Sequence, residues 1–150
     1  MLLKTHLAFA ALMIILFVEH VNSPWIFIAM VVVATIIPDL DLSSSSWGRH
    51  LIFRPLQFFV KHRGIFHSFT FAVLASVLLA VFWPVASLGF FIGYSVHLIA
   101  DSFTKEGVQP FWPLKAKSRG FIASGRTIEE SLFFSLVVID IILFFLIIIV

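Results

Sequence analysis

His97 and Asp101 stand four residues apart in Gly93-Tyr94-Ser95-Val96-His97-Leu98-Ile99-Ala100-Asp101. On a helix both side chains therefore leave one face, where an imidazole nitrogen and a carboxylate oxygen can close on one cation. Asp39 and Asp41, in Pro38-Asp39-Leu40-Asp41, set two carboxylates one residue apart, a spacing that reaches separate or bridged divalent metals. His62 and His67 flank Gly64, whose backbone freedom lets a loop aim both imidazoles at one point. His6 completes the set. Each group alone has a plain explanation: a helix-end hydrogen bond for His97 and Asp101, a solvated turn for Asp39 and Asp41, a basic loop for His62 and His67, an interfacial histidine for His6. Their conjunction is the argument, because ligand-type side chains recur at the ends of successive apolar runs.

The rest of the chain makes such residues conspicuous. Of the 150 residues, 61% are hydrophobic, nineteen are Phe and only 12% are charged, beyond what a soluble domain of this size carries. The composition is that of an integral membrane protein, in which each ionisable group must leave the hydrocarbon, find a partner or bind a ligand. The absence of cysteine excludes a disulfide framework and thiolate metal sites. A net charge of +2, with no Gly-rich phosphate loop, internal repeat or low-complexity tract, argues against nucleic acid as a partner.

Five apolar segments must position the ligands: Leu7 to Val18, Trp25 to Ile37, Phe69 to Phe82, Val85 to Ala100 and Leu132 to Val150. They predict an all-α membrane bundle of about four to five transmembrane helices in one domain, residues 1–150. The first four are shorter than the ~20 residues a crossing needs, so their polar ends must reach into the headgroup layer, or some are buried core helices or half-spans. The run at 7–18 has the look of a signal-peptide core, but the residues before Pro24 make a poor cleavage site, and Pro24-Trp25 reads as the next helix start. If the segments alternate, every Lys and Arg falls on one side, from Lys4 to Arg126, while the turns Glu19–Pro24 and Trp83–Pro84 have none. The positive-inside rule then places the N-terminus in the cytoplasm and the C-terminus outside, in the inner or plasma membrane. The same alternation puts every candidate ligand on the cytoplasmic side.

Several stretches together resemble a known family: His6, Pro38-Asp39-Leu40-Asp41, His62-Arg63-Gly64-Ile65-Phe66-His67-Ser68, Gly93 through Thr104, Gly107-Val108, Trp112-Pro113 and Gly125-Arg126-Thr127-Ile128-Glu129. In this order and spacing they are similar to the YdjM-type membrane-bound metal-dependent hydrolases, over nearly the whole chain. Leu42 stands where relatives can carry a His, and Phe66 where a Thr is frequent. A more distant similarity of residue types, not of alignment, links the chain to zinc-dependent phospholipase C enzymes.

The resemblance implies a metal-dependent hydrolase of unsettled substrate. Counting Asp41 and Glu129 with His6, Asp39, His62, His67, His97 and Asp101 yields more ligands than one tetrahedral metal needs, so two divalent ions are expected. Imidazole and carboxylate suit zinc first, then manganese or iron. The expected metal ligands are His6, Asp39, His62, His67, His97 and Asp101. Asp41 or Glu129 is the expected general base for a metal-activated water, and Arg63 the expected phosphate clamp. Ligands at helix ends lie near the headgroups, which points to a phosphoester or ester of a lipid or other amphiphile as substrate, with membrane lipids as partners. The loop from Trp47 to Phe59, entered through Ser43–Ser46, reads as an interfacial amphipathic helix, and Lys105 to Arg126 as a second basic segment facing anionic headgroups. Asp140, mid-way along the last segment, is expected to face another helix, while Glu19 and His20 belong to the outer turn. The competing classes are a membrane metal transporter or sensor, with ligands strung along a path, and a structural protein, whose His and Asp residues would be dispersed.

Overall fold

The structure is a computed structural model that describes residues 1–41, 50 and 64–149, apart from the side chains of Asp41 and Ile148. The described residues form five α-helices: α1 (Leu3–Phe17), α2 (Pro24–Ile36), α3 (Phe69–Phe82), α4 (Pro84–Ser102) and α5 (Thr127–Ile149). Pro24 and Pro84 each occupy the first helical position after a tight turn, where the missing N–H costs nothing and the fixed φ is already helical. A 3-10 turn, Ile37–Asp41, continues α2, and another, Ile65–His67, precedes α3. Ser68 then caps α3 by accepting from Phe71 N at 3.2 Å.

Three helices are long and apolar enough to cross a bilayer: Leu3–His20, Pro84–Ser102 and Thr127–Ile147. The helices at Pro24–Leu40 and Phe69–Phe82 are shorter. At 1.5 Å per residue, the 13 residues of α2 and 14 of α3 extend only ~20 Å against ~30 Å of hydrocarbon. By length and composition the bundle thus has three candidate spans, with two shorter helices packed among them.

Helix α4 is the centre of this bundle, packed against α1, α2 and α3. Its closest neighbour is α2, and the reason is two glycines one turn apart. A Cβ on Gly93 would meet the Val31 carbonyl oxygen at 2.2 Å, and one on Gly89 the Phe27 carbonyl oxygen at 2.9 Å. Only glycine lets the two backbones touch, the small-xxx-small packing that replaces hydrophobic drive inside lipid. Around this contact lie two apolar clusters, Ala34, Ala72, Phe90, Tyr94 and Leu98 on one side and Ala10, Phe27 and Val31 on the other.

Helix α5 packs against α1 and leaves most of its apolar surface exposed, including Phe134, Val138, Ile142 and Phe145, as a lipid-facing helix would. Asp140 on it has Oδ1 shielded from solvent, with no hydrogen-bond partner among the described residues. Between α4 and α5 the chain folds back on itself. Thr104 bridges to Ile122 and Val108 to Ser118, while Phe69 N donates to Pro110 O at 2.8 Å. Gly107 sits at φ +65°, where a Cβ would stand 2.1 Å from the Ser118 carbonyl oxygen.

Candidate metal centre

Four helix ends meet at one end of the bundle, and each brings a ligand. α1 carries His6 one turn in, the 3-10 extension of α2 carries Asp39, the 3-10 turn before α3 carries His67, and α4 carries His97 and Asp101. Asp101 is the hub. Its Oδ1 is 3.4 Å from His6 Nε2, and its Oδ2 is 3.9 Å from both His67 Nε2 and His97 Nε2. Asp39 Oδ1 closes the other side, 3.7 Å from His97 Nε2 and 3.9 Å from His67 Nε2. The amino group of Met1 lies 2.7 Å from Asp101 Oδ1.

The spacing is that of donors around a cation. Four ligand atoms held tetrahedrally at the 2.0–2.1 Å of a Zn–N bond lie ~3.3 Å apart, slightly inside the distances found here. Two sets of three donors, His6, Asp39 and His97, and His67, His97 and Asp101, each keep their ligand atoms within 4.8 Å of one another. His97 belongs to both sets, and one imidazole lone pair serves one ion. The five described donors could thus hold a metal ion between them, with His97 common to both sets. His62 and Arg63 lie outside the described residues, as does the side chain of Asp41.

Burial gives the cage its chemical character. The three histidine side chains are fully buried and Asp101 is 1% exposed, while Asp39 keeps 18% exposure and marks the open side. Both ring nitrogens of His6 and Nε2 of His97 make no hydrogen bond among the described residues. Buried imidazole nitrogens are costly to leave without a partner, and a cation is the partner their arrangement fits. His97 shows how the lone pair is aimed. Its Nδ1 is 2.8 Å from the carbonyl oxygen of Thr35, which can only accept, so Nδ1 carries the proton and Nε2 turns its lone pair inward. The ring of His6 stacks on that of His97, with centroids 4.0 Å apart and 10° between planes, which fixes a second ligand against the first.

Residues outside the expected set hold these ligands. Thr35, buried in α2, is held by its hydroxyl, which lies within hydrogen-bond distance of the carbonyls of Val31 (2.7 Å) and Gly93 (3.2 Å); its own carbonyl then orients His97. Tyr94, the one tyrosine in the chain, donates its hydroxyl to Phe66 O at 2.6 Å and so ties the His67 turn to α4. The chain's one tyrosine, set three residues before His97 in the same helical run, is the signal by which sequence reading would find it. Glu129 is fully buried, but both oxygens are engaged: Oε1 accepts from Leu2 N at 2.6 Å and Thr5 Oγ1 at 3.0 Å, and Oε2 from Gly125 N at 2.6 Å. Glu129, one of the two residues expected as general base, thus joins the start of α5 to the start of α1, next to His6. Lys4 and Glu130 pair beside it at 2.6 Å on the surface. Glu19 and His20 fall in the 3-10 turn after α1, at the far end from the cage.

The sequence model of a family described as YdjM inner membrane protein matches residues 1–150. The chain is 34% identical over 104 residues to the curated Inner membrane protein YdjM of Escherichia coli (strain K12), an alignment covering 63% of this chain and 53% of that protein. The protein of the same name from Shigella flexneri matches with the same identity and coverage. The chain thus spans about half the length of the curated relatives it matches. No solved structure matches it.

Proposed function

The chain belongs to the YdjM inner membrane protein family, and from that premise we propose that it is a membrane-bound metal-dependent hydrolase acting on a phosphoester or ester of a lipid or other amphiphile. The observation that carries the proposal is the cluster of His6, Asp39, His67, His97 and Asp101 at one end of an apolar bundle, with the Nε2 lone pair of His97 turned inward.

His6, His67 and His97 with Asp39 and Asp101 would hold a divalent cation, zinc by donor type and spacing, with manganese or iron as alternatives. Bound there, it supplies Lewis acidity and a water of lowered pKa. The two carboxylates match the positive charge brought into a buried place. Asp39, on the open side, borders the approach of both water and substrate. We assign Asp41 the proton transfer and Arg63 the grip on a substrate phosphate, by residue type and sequence position. Glu129, with its oxygens filled by donors, positions α1 and His6. A second ion would draw on Asp41 and His62.

A transporter would string ligands along a path through the bilayer, whereas these gather at one helix-end level where a headgroup ester lies. The ten Lys and Arg residues fall on the same side as the cage when the apolar segments alternate, and on that ground we place the cage and the N-terminus in the cytoplasm.

Metal content of the detergent-purified protein, measured by inductively coupled plasma mass spectrometry beside His97→Ala and Asp101→Ala, tests the reading. One to two equivalents of zinc, manganese or iron that fall away in both variants are expected, followed by metal-dependent release of product from phospholipid or phosphoester substrates. A wild-type protein free of metal after chelator-free purification and zinc addition would overturn it.

A further inference from the structure

The segment between α4 and α5, residues 103–126, is built as a surface. It carries Lys105, Lys115, Lys117, Arg119 and Arg126 but a single acidic residue, Glu106, and residues 111–119 are exposed throughout. Large apolar side chains are exposed among these charges: Phe111 at 59%, Leu114 at 64% and Phe121 at 70%, with Phe103 and Trp112 beside them. In water such a face has no reason to stay open, since Phe and Leu gain by burial.

The segment is also firmly shaped. Lys105 N donates to Ile122 O, Gly120 N to Thr104 O, and Val108 and Ser118 exchange both of their backbone hydrogen bonds. Thr104 Oγ1 donates to Asp101 O at 2.7 Å, which fastens it to the cage, and Pro110 holds the start of α3, two residues after His67. It leaves one candidate span, Pro84–Ser102, and enters the next, Thr127–Ile147, so it emerges from and returns to the same face of the bilayer.

We propose that residues 103–126 form an interfacial platform that seats its aromatic and aliphatic side chains in the headgroup layer and binds anionic lipid through Lys115, Lys117 and Arg119. Basic residues interleaved with Phe, Trp and Leu fit a surface that is anionic above and apolar beneath. A protein partner offers no such layering. The platform borders the metal cage, so anionic lipids are concentrated where the proposed substrate enters. The inference rests on the membrane placement and the exposed face, and stands whether or not the cage hydrolyses anything.

The chain lacks cysteine, so Leu114→Cys and Phe121→Cys each offer one site for a nitroxide label. In vesicles of phosphatidylcholine with one quarter phosphatidylglycerol, both labels should show headgroup depth, being more accessible to oxygen than to a water-soluble nickel chelate. Spin-labelled phosphatidylglycerol should be enriched around the wild-type protein over spin-labelled phosphatidylcholine. In the K115E/K117E/R119E variant that preference should fall at least about fivefold, the factor one basic residue carries near an anionic surface. Unchanged metal content in the variant confirms its fold. Labels fully open to the nickel chelate, labels shielded from both relaxants as in a protein contact, or an unchanged lipid preference would overturn the proposal.

Discussion

Replacing Tyr94 by Phe removes one oxygen atom and leaves the ring that packs against Phe71 and Phe90. The lost contact is the 2.6 Å hydrogen bond to Phe66 O, which anchors the three-residue turn carrying His67 from across the bundle. The turn keeps its local hydrogen bonds, His67 N to Gly64 O at 3.1 Å and Ser68 Oγ to Ile65 O. A net hydrogen bond is worth about 1 kcal/mol, and the Phe66 carbonyl left partly buried adds to the cost, so the perturbation is about 1–2 kcal/mol. If that cost falls on the placement of His67, the zinc dissociation constant should rise by roughly 5–30-fold, at 1.4 kcal/mol per tenfold, within the range seen for outer-shell partners of metal ligands. The assay is zinc competition against a chromogenic chelator in detergent, with circular dichroism to confirm helix content. His67→Ala should weaken binding further than Tyr94→Phe. Binding by Tyr94→Phe within about twofold of wild type would refute the idea that the α4 anchor positions His67, and equal affinity for His67→Ala would remove His67 from the cage.

Glu129→Gln turns an acceptor-only group into one that must present an N–H towards Leu2 N, Thr5 Oγ1 or Gly125 N; it should cost about 1.5–3 kcal/mol of stability, seen as a lower melting temperature in detergent, while bound metal is kept. Lost turnover at unchanged stability would instead return Glu129 to the role of general base. Gly93→Ala places a Cβ 2.2 Å from Val31 O and must part α2 from α4 by about 1 Å, costing about 1–3 kcal/mol; because Thr35 O moves with α2, metal affinity should fall as well. A variant as stable as wild type would show that the two backbones are not in contact. Zinc affinity should weaken as pH falls, because imidazole and carboxylate must shed protons to bind metal, and with three imidazoles the logarithm of the dissociation constant can change by up to about three per pH unit on the acid side. Affinity independent of pH between 7 and 5 would rule out a histidine cage.

Where sequence and structure part, a long-range contact is the cause. Apolar patterning starts the first helix at Leu7, but α1 begins at Leu3, because Glu129 arrives from 127 residues away to accept Leu2 N. His6 is consequently inside the helix and buried rather than at its mouth. The last helix begins at Thr127 rather than Leu132, its first turn being polar but carrying Glu129 and Glu130, which suit the positive end of a helix dipole. The His97 and Asp101 pair was legible from spacing alone, since a four-residue step on a helix is local geometry.

Composition and local pattern determined the membrane class, the all-helical fold, the helix spacing and the ligand types, because charge scarcity and hydrophobic runs are properties of a chain before it folds. Tertiary structure decided which ligands meet. Asp39 comes within 4 Å of both His67 and His97 only because the end of α2, the start of α3 and the end of α4 lie at one level, and α2 and α4 approach so closely only because Gly93 lacks a Cβ. It also gave the Thr35 carbonyl its hold on His97 and turned Glu129 into a clasp. Convergence of this kind depends on which helix faces pack together, a relation between residues far apart in the chain that the spacing within any one segment does not contain.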